Sequence, residues 1–283
     1  MALISTQALA DRLAAGAPRL RLFDATVHLR PAEPGPFVAE SGRADYEASH
    51  IPGAAFVDLL HELSDAASDL RFTFPPVSQL EAALSALGLS EGDDCVVYSS
   101  TSPMWATRLW WMLRSLGFDA AVLDGGLAKW RAEARAVATG HEAYAPGRFR
   151  ARTRDSLWAD RGEVQRAIGD GAVCVVNALS AASHTGRAAV HYGRPGHIAG
   201  SVNLPYASLL DPGGCFKPAA ELRALFDGVG AFERRRVICY CGGGISATMD
   251  ALALVRAGHA DVAVYDGSLA EWARDPSMPM ALD

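Results

Sequence analysis

The chain of 283 residues has no long hydrophobic run. Polar residues interrupt every short apolar stretch, including the opening MALISTQALADRLAAG, so neither a bilayer span nor the apolar core of a secretory leader is expected. The expectation is a cytoplasmic protein with no membrane partner. Cysteine is scarce and odd in number: Cys95, Cys174, Cys215, Cys239 and Cys241 sit at irregular spacing in a chain large enough to fold without staples. A disulfide framework is therefore not expected, and at least one thiol is free. Cys239 and Cys241 form a Cys-x-Cys, yet no second pair or nearby His completes a ligand set, which argues against a metal. Basic residues do not run together, and the net charge is −6. A dedicated nucleic-acid partner is not expected.

What is present is an internal repeat. Three segments recur in the same order in both halves. His50-Ile51-Pro52-Gly53-Ala54-Ala55 answers His197-Ile198-Ala199-Gly200-Ser201-Val202. Cys95-Val96-Val97-Tyr98-Ser99 answers Val237-Ile238-Cys239-Tyr240-Cys241. Val122 to Trp130, with Asp124-Gly125-Gly126, answers Val264 to Trp272, with Asp266-Gly267-Ser268. One and the same spacing separates Ser99 from Cys241 and Asp124 from Asp266.

Each half opens on a helical pattern, Gln7 to Ala14 and Gly162 to Ile168, followed by a short apolar strand, Leu20 to Ala25 and Ala172 to Ala178. Strands, helices and Gly-rich turns then alternate. That pattern predicts two α/β domains, each a parallel sheet with helices on both faces. The expected division is 1–140, a linker at 141–155 that holds Pro146-Gly147 and four arginines without helical periodicity, and 156–283.

The chemistry concentrates at Cys241. Val237 to Tyr240 reads as a strand, and Ile245, Met249 and Leu252 fall on one face of a helix ending near Gly258. Cys241-Gly242-Gly243-Gly244-Ile245-Ser246 joins the two. A thiol placed there faces unpaired backbone N–H groups and the positive end of a helix dipole, which favour an anion such as thiolate or persulfide. The glycines let the backbone curl around sulfur, and Ser246 offers a hydroxyl. An ordinary buried thiol at a tight turn is the plainer reading. The repeat counts against it, because the fold accepts Ser99 at the equivalent place.

The His-Ile-Pro-Gly-Ala and Asp-Gly-Gly/Ser-x-x-x-Trp segments, the duplication and the Cys-Gly-Gly-Gly-Ile-Ser loop together resemble the tandem rhodanese family of thiosulfate and 3-mercaptopyruvate sulfurtransferases, over nearly the whole chain. The resemblance implies two tandem rhodanese-like domains, the first catalytically silent. It also implies Cys241 as nucleophile, with Gly242, Gly243, Gly244, Ile245, Ser246 and Ala247 as the backbone cradle of a persulfide. The implied reaction has two half-steps. Cys241 takes a sulfane sulfur from a small-molecule donor, releasing pyruvate or sulfite, and passes it to cyanide, a thiol or a reduced protein such as thioredoxin. No metal or organic cofactor is implied.

Two signals bear on the donor. Thiosulfate users in the family carry basic side chains in this loop, whereas mercaptopyruvate users have a neutral one, as here. Yet the family's first-domain His is replaced by Phe72, with His61 nearby but out of register, and its paired arginines do not align. Arg187, His191 and Arg194 stand in their neighbourhood and form a candidate anion site; a solvated loop is the alternative. Asn177 stands where the family has Asp.

His50 and His197 recur in both halves and so read as structural, as do Asp124 and Asp266, read as turn or cap residues. Trp105, Trp110 and Trp111 read as core or domain-interface packing, with Trp105 near the cleft. A cysteine phosphatase would need an Arg closing its loop, where this chain has Ala247. A persulfide carrier serving only a protein partner would have the same loop.

Overall fold

The computed structural model describes residues 2–30 and 37–282. Short buried apolar strands alternate with amphipathic helices, and they assemble into two five-stranded sheets. The first contains β1 (Leu3–Ile4), β2 (Leu20–Asp24), β3 (Ala54–Phe56), β4 (Asp94–Tyr98) and β5 (Ala120–Leu123). The second contains β6 (Trp158–Ala159), β7 (Val173–Asn177), β8 (Val202–Asn203), β9 (Arg236–Tyr240) and β10 (Val262–Tyr265). Their orders are β1-β5-β4-β2-β3 and β8-β7-β9-β10-β6, the same order read from opposite ends, and all neighbours are parallel.

Parallel sheets need both faces covered, which is why the central strands read as unbroken apolar runs. Val237, Ile238, Cys239 and Tyr240 on β9 are all buried. The covering helices include α1 (Thr6–Ala14), α2 (Val77–Ala86), α3 (Pro103–Ser115) and α4 (Gly126–Ala132) around the first sheet. Around the second are α5 (Arg161–Ala167), α6 (Ala219–Gly228), α7 (Ala247–Ala257) and α8 (Ser268–Trp272). α7 ends where Gly258 takes a left-handed conformation, φ +91°, that a side chain would resist.

The two halves share one apolar core. α3 and α7 pack against each other across the seam, where the hydroxyls of Thr107 and Thr248 lie 2.7 Å apart in a buried setting. Trp105, Trp110 and Trp111 on α3 are buried in that core, as the sequence predicts. Residues 141–154 carry no helix or strand and lie along the first domain. There Tyr144 accepts from Leu22 N at 2.9 Å and donates to Gly53 O, while Ser85 Oγ accepts from Phe149 N. No helix among the described residues is long and apolar enough to cross a membrane.

Candidate active site

Cys241 follows β9, the middle strand of the second sheet, and the loop it opens leads directly into α7. In open parallel sheets this edge is where ligands bind. Cys241 is 2 % exposed.

The loop is held from outside by its carbonyls. Leu269 N donates to Cys241 O at 3.1 Å and Ala270 N to Gly242 O at 2.8 Å, both from the first turn of α8. Gly244 O accepts from Arg108 Nη1 at 3.2 Å. With the carbonyls engaged, the N–H groups of Gly242, Gly243, Ile245, Ser246 and Ala247 have no acceptor among the described residues. Ser246 makes no side-chain bond to the helix it precedes, so its hydroxyl is also uncommitted. Unpaired backbone donors at a helix start form an anion site.

Ser268 fixes the remaining two amides. Its Oγ accepts from Cys241 N and Gly244 N, each at 3.1 Å, and donates to Tyr265 O at 2.7 Å. The backbone of Ser268 is left-handed, φ +48°, at the place where the first half has Gly126, φ +56°. A side chain there is strained, and the hydroxyl it brings is what holds the ends of the loop together.

The three glycines answer to different constraints. A Cβ on Gly242 would overlap the phenol of Tyr192. Gly244 is left-handed, φ +73°, and abuts the carbonyl of Asp266. Gly243 faces open space, so a side chain would fit there.

Asp266, expected as a turn or cap residue, lies in the bend before α8 and also bridges the domains. Its Oδ2 accepts from Phe74 N at 2.7 Å and its Oδ1 lies 2.6 Å from Arg108. Asp124, its counterpart, accepts from Phe216 N at 2.8 Å in the opposite direction. Both residues sit in the turns the sequence predicts, and their carboxylates reach past those Gly-rich turns to a backbone amide of the other domain. Arg108 also donates to Phe72 O and lies 4.9 Å over the ring of Trp158. Phe72 itself is buried beside Trp105, ring centroids 5.2 Å apart, with φ +62° where the second domain has Gly214, φ +79°.

Of the candidate trio Arg187, His191 and Arg194, the last is bound to backbone carbonyls. Arg194 donates to Ala273 O, Asp275 O and Met278 O at 3.1, 2.7 and 2.9 Å, and more weakly to Trp272 O. Its guanidinium is a collar on the C-terminal end of α8, where orphaned carbonyls attract a cation. Arg187 is exposed and His191 half-buried on the segment that precedes Tyr192. His61 is likewise out on the surface, bonded to Asp58 at 3.0 Å.

His50 and His197 pack behind the strand ends. Each Nδ1 donates to a backbone carbonyl at 2.8 Å, of Tyr46 and of His184 respectively. Asn177 accepts from Leu179 N at 3.0 Å and meets His184 Nδ1 at 3.1 Å, while Asp24, at its place in the first sheet, bonds to Thr26. Burial pushes the Cys239 thiol well up, so Cys239 stays a protonated core thiol.

Arg108, Asp266, Ser268 and Tyr192 were not singled out from sequence as site residues. The contrast of Ser268 with Gly126 in the repeat was the available signal for one of them. Nothing in the sequence around Tyr192 marks it.

The family model for a rhodanese-like domain matches twice, over residues 5–133 and 163–275. Thiosulfate/3-mercaptopyruvate sulfurtransferase 2 of Arabidopsis thaliana is 34 % identical over 83 % of this chain and 76 % of its own length. Human 3-mercaptopyruvate sulfurtransferase is 31 % identical over 96 % and 91 %. The crystal structure of SseA from Escherichia coli, a 3-mercaptopyruvate sulfotransferase, superposes with a TM-score of 0.82 at 28 % identity, covering 94 % of this chain and 98 % of SseA. With two parallel α/β domains, a matching family model in each and relatives that span nearly its whole length, the chain belongs to the rhodanese family, as a two-domain sulfurtransferase.

Proposed function

We propose that Cys241 is the nucleophile of this sulfurtransferase, that it carries sulfur as a persulfide, and that 3-mercaptopyruvate is its preferred donor over thiosulfate. The observation that carries the reading is the loop itself, a cysteine at a strand end whose amides are unpaired while its carbonyls are bound from behind. Those amides are placed to stabilise the terminal sulfur of a persulfide anion, because fixed donors cost no reorganisation when charge appears. Cyanide, a thiol or a reduced thioredoxin-like protein then takes the sulfur and regenerates the thiolate.

The donor assignment rests on charge. No loop side chain is basic, and the nearby cations Arg108 and Arg194 are engaged with Asp266 and backbone carbonyls. Arg187 and His191 remain available to attract the single carboxylate of a keto acid.

The test compares kcat/KM for the two donors with cyanide as acceptor. A larger value for 3-mercaptopyruvate is expected. A larger value for thiosulfate would overturn the donor assignment. Transfer from neither would favour a persulfide carrier loaded by a protein partner.

A further inference from the structure

Tyr192 occupies the volume into which the second side chain of the Cys241 loop would grow. A Cβ built on Gly242 would fall on Cζ, Cε1 and the hydroxyl of the phenol, whereas one built on Gly243 meets nothing. Gly242 has no positive φ, so its missing side chain answers to Tyr192 and not to the backbone. The ring is anchored. Two residues on, Arg194 ties the segment to the carbonyls beyond α8, and the Tyr192 ring packs on the apolar cluster of Ile198, Tyr240 and Trp272. Its hydroxyl has no hydrogen-bond partner among the described residues, in a protein where Tyr46, Tyr144, Tyr240 and Tyr265 all use theirs.

Resting on the reading of Cys241 as a persulfide-forming nucleophile, we infer that Tyr192 is the residue that selects an α-keto thiol: its hydroxyl donates to the keto oxygen of the donor. It stands where a charged loop side chain would stand for an inorganic dianion. In the first half-reaction the Cys241 thiolate attacks the donor sulfur. The S–S bond forms, the C–S bond breaks, and its electron pair moves through the adjacent carbonyl to leave an enolate. Charge therefore grows on the oxygen that Tyr192 contacts. The proton on the transferred sulfur passes to the enolate carbon, giving pyruvate and a persulfide anion. Tyr192 lends a hydrogen bond and loses no proton. Burial first, and the charge of Cys241 second, push its phenol well up and keep it a donor. Thiosulfate releases sulfite and develops no enolate, so it gains nothing from this donor.

Tyr192→Phe keeps the ring and removes the O–H. The ratio of kcat/KM for 3-mercaptopyruvate to that for thiosulfate should fall about 100-fold, the scale of losing one oxyanion donor. An unchanged ratio would overturn the inference, whether both values drop or neither does. As a second variant, Tyr192→Ala combined with Gly242→Arg vacates the space and refills it with a cation. It should move the ratio further toward thiosulfate, and a ratio left at the wild-type value counts against the inference. Wild-type protein that transfers from neither donor would instead overturn the small-molecule donor assignment on which this rests, with Cys241 left as a carrier loaded by a protein.

Discussion

Arg108 of the first domain lies 2.6 Å from Asp266 of the second, and the same guanidinium holds Gly244 O and Phe72 O. One buried side chain thereby ties the first half to the loop of the second and to the segment that carries Phe74 onto Asp266. The first domain supplies the wall against which the Cys241 loop is set.

Arg108→Ala leaves Asp266 short of its cation and Gly244 O short of a donor. Breaking a buried pair from one side typically costs about 3–5 kcal/mol. Chemical unfolding should show a loss on that scale, and sulfur transfer should fall with it. Arg108→Lys cannot reach all three acceptors with a single ammonium, so it should recover only part of either.

Ser268 separates strain from function. Ser268→Gly restores the residue type that the first half uses at this left-handed position, so backbone strain is relieved while the Oγ that holds Cys241 N and Gly244 N is lost. The variant should unfold no more easily than Ser268→Ala, which keeps the strain and loses the same bonds, yet both should transfer sulfur more slowly than wild type. Equal activity of Ser268→Gly and wild type would show that the two amides need no fixed acceptor.

Asp250 on α7 is fully buried, and neither carboxyl oxygen has a hydrogen-bond partner among the described residues. Burial pushes its pKa well up, so the folded protein holds the acid neutral. In the unfolded chain it ionises near about 3.9. Its penalty is therefore absent below that pH and grows as pH rises toward the folded value. Asp250→Leu, similar in shape and apolar, should stabilise the fold by about 1–3 kcal/mol near neutral pH. The gain should shrink as pH falls toward 4, which paired unfolding curves at the two pH values would measure.

The fold was legible because the chain repeats itself. Aligning Tyr98-Ser99 with Tyr240-Cys241 placed the thiol at a strand end, and the Gly-rich stretch after it marked a turn into a helix. The backbone role of Arg194 is not legible, because charge near a site looks the same in sequence whether it faces substrate or backbone. Its partners are carbonyls after α8, far along the chain, and no local pattern announces them. Asp124 and Asp266 were read locally, since Asp-Gly is a turn signal, although each reaches an amide of the other domain. Tyr192 and Gly242 lie far apart in the chain and meet through the fold, where Arg194 ties down the segment just after Tyr192 and the ring packs on an apolar cluster.

The central claim concerns which sulfur atom carries the cargo. The protein is incubated with 3-mercaptopyruvate without acceptor and digested under non-reducing conditions, and its cysteine peptides are weighed. One additional sulfur atom is expected on Cys241 and none on Cys239, whose buried thiol stays protonated; Cys241→Ser should abolish both the added mass and transfer to cyanide. An unmodified Cys241, or a Cys241→Ser protein that still makes thiocyanate at the wild-type rate, would contradict the account.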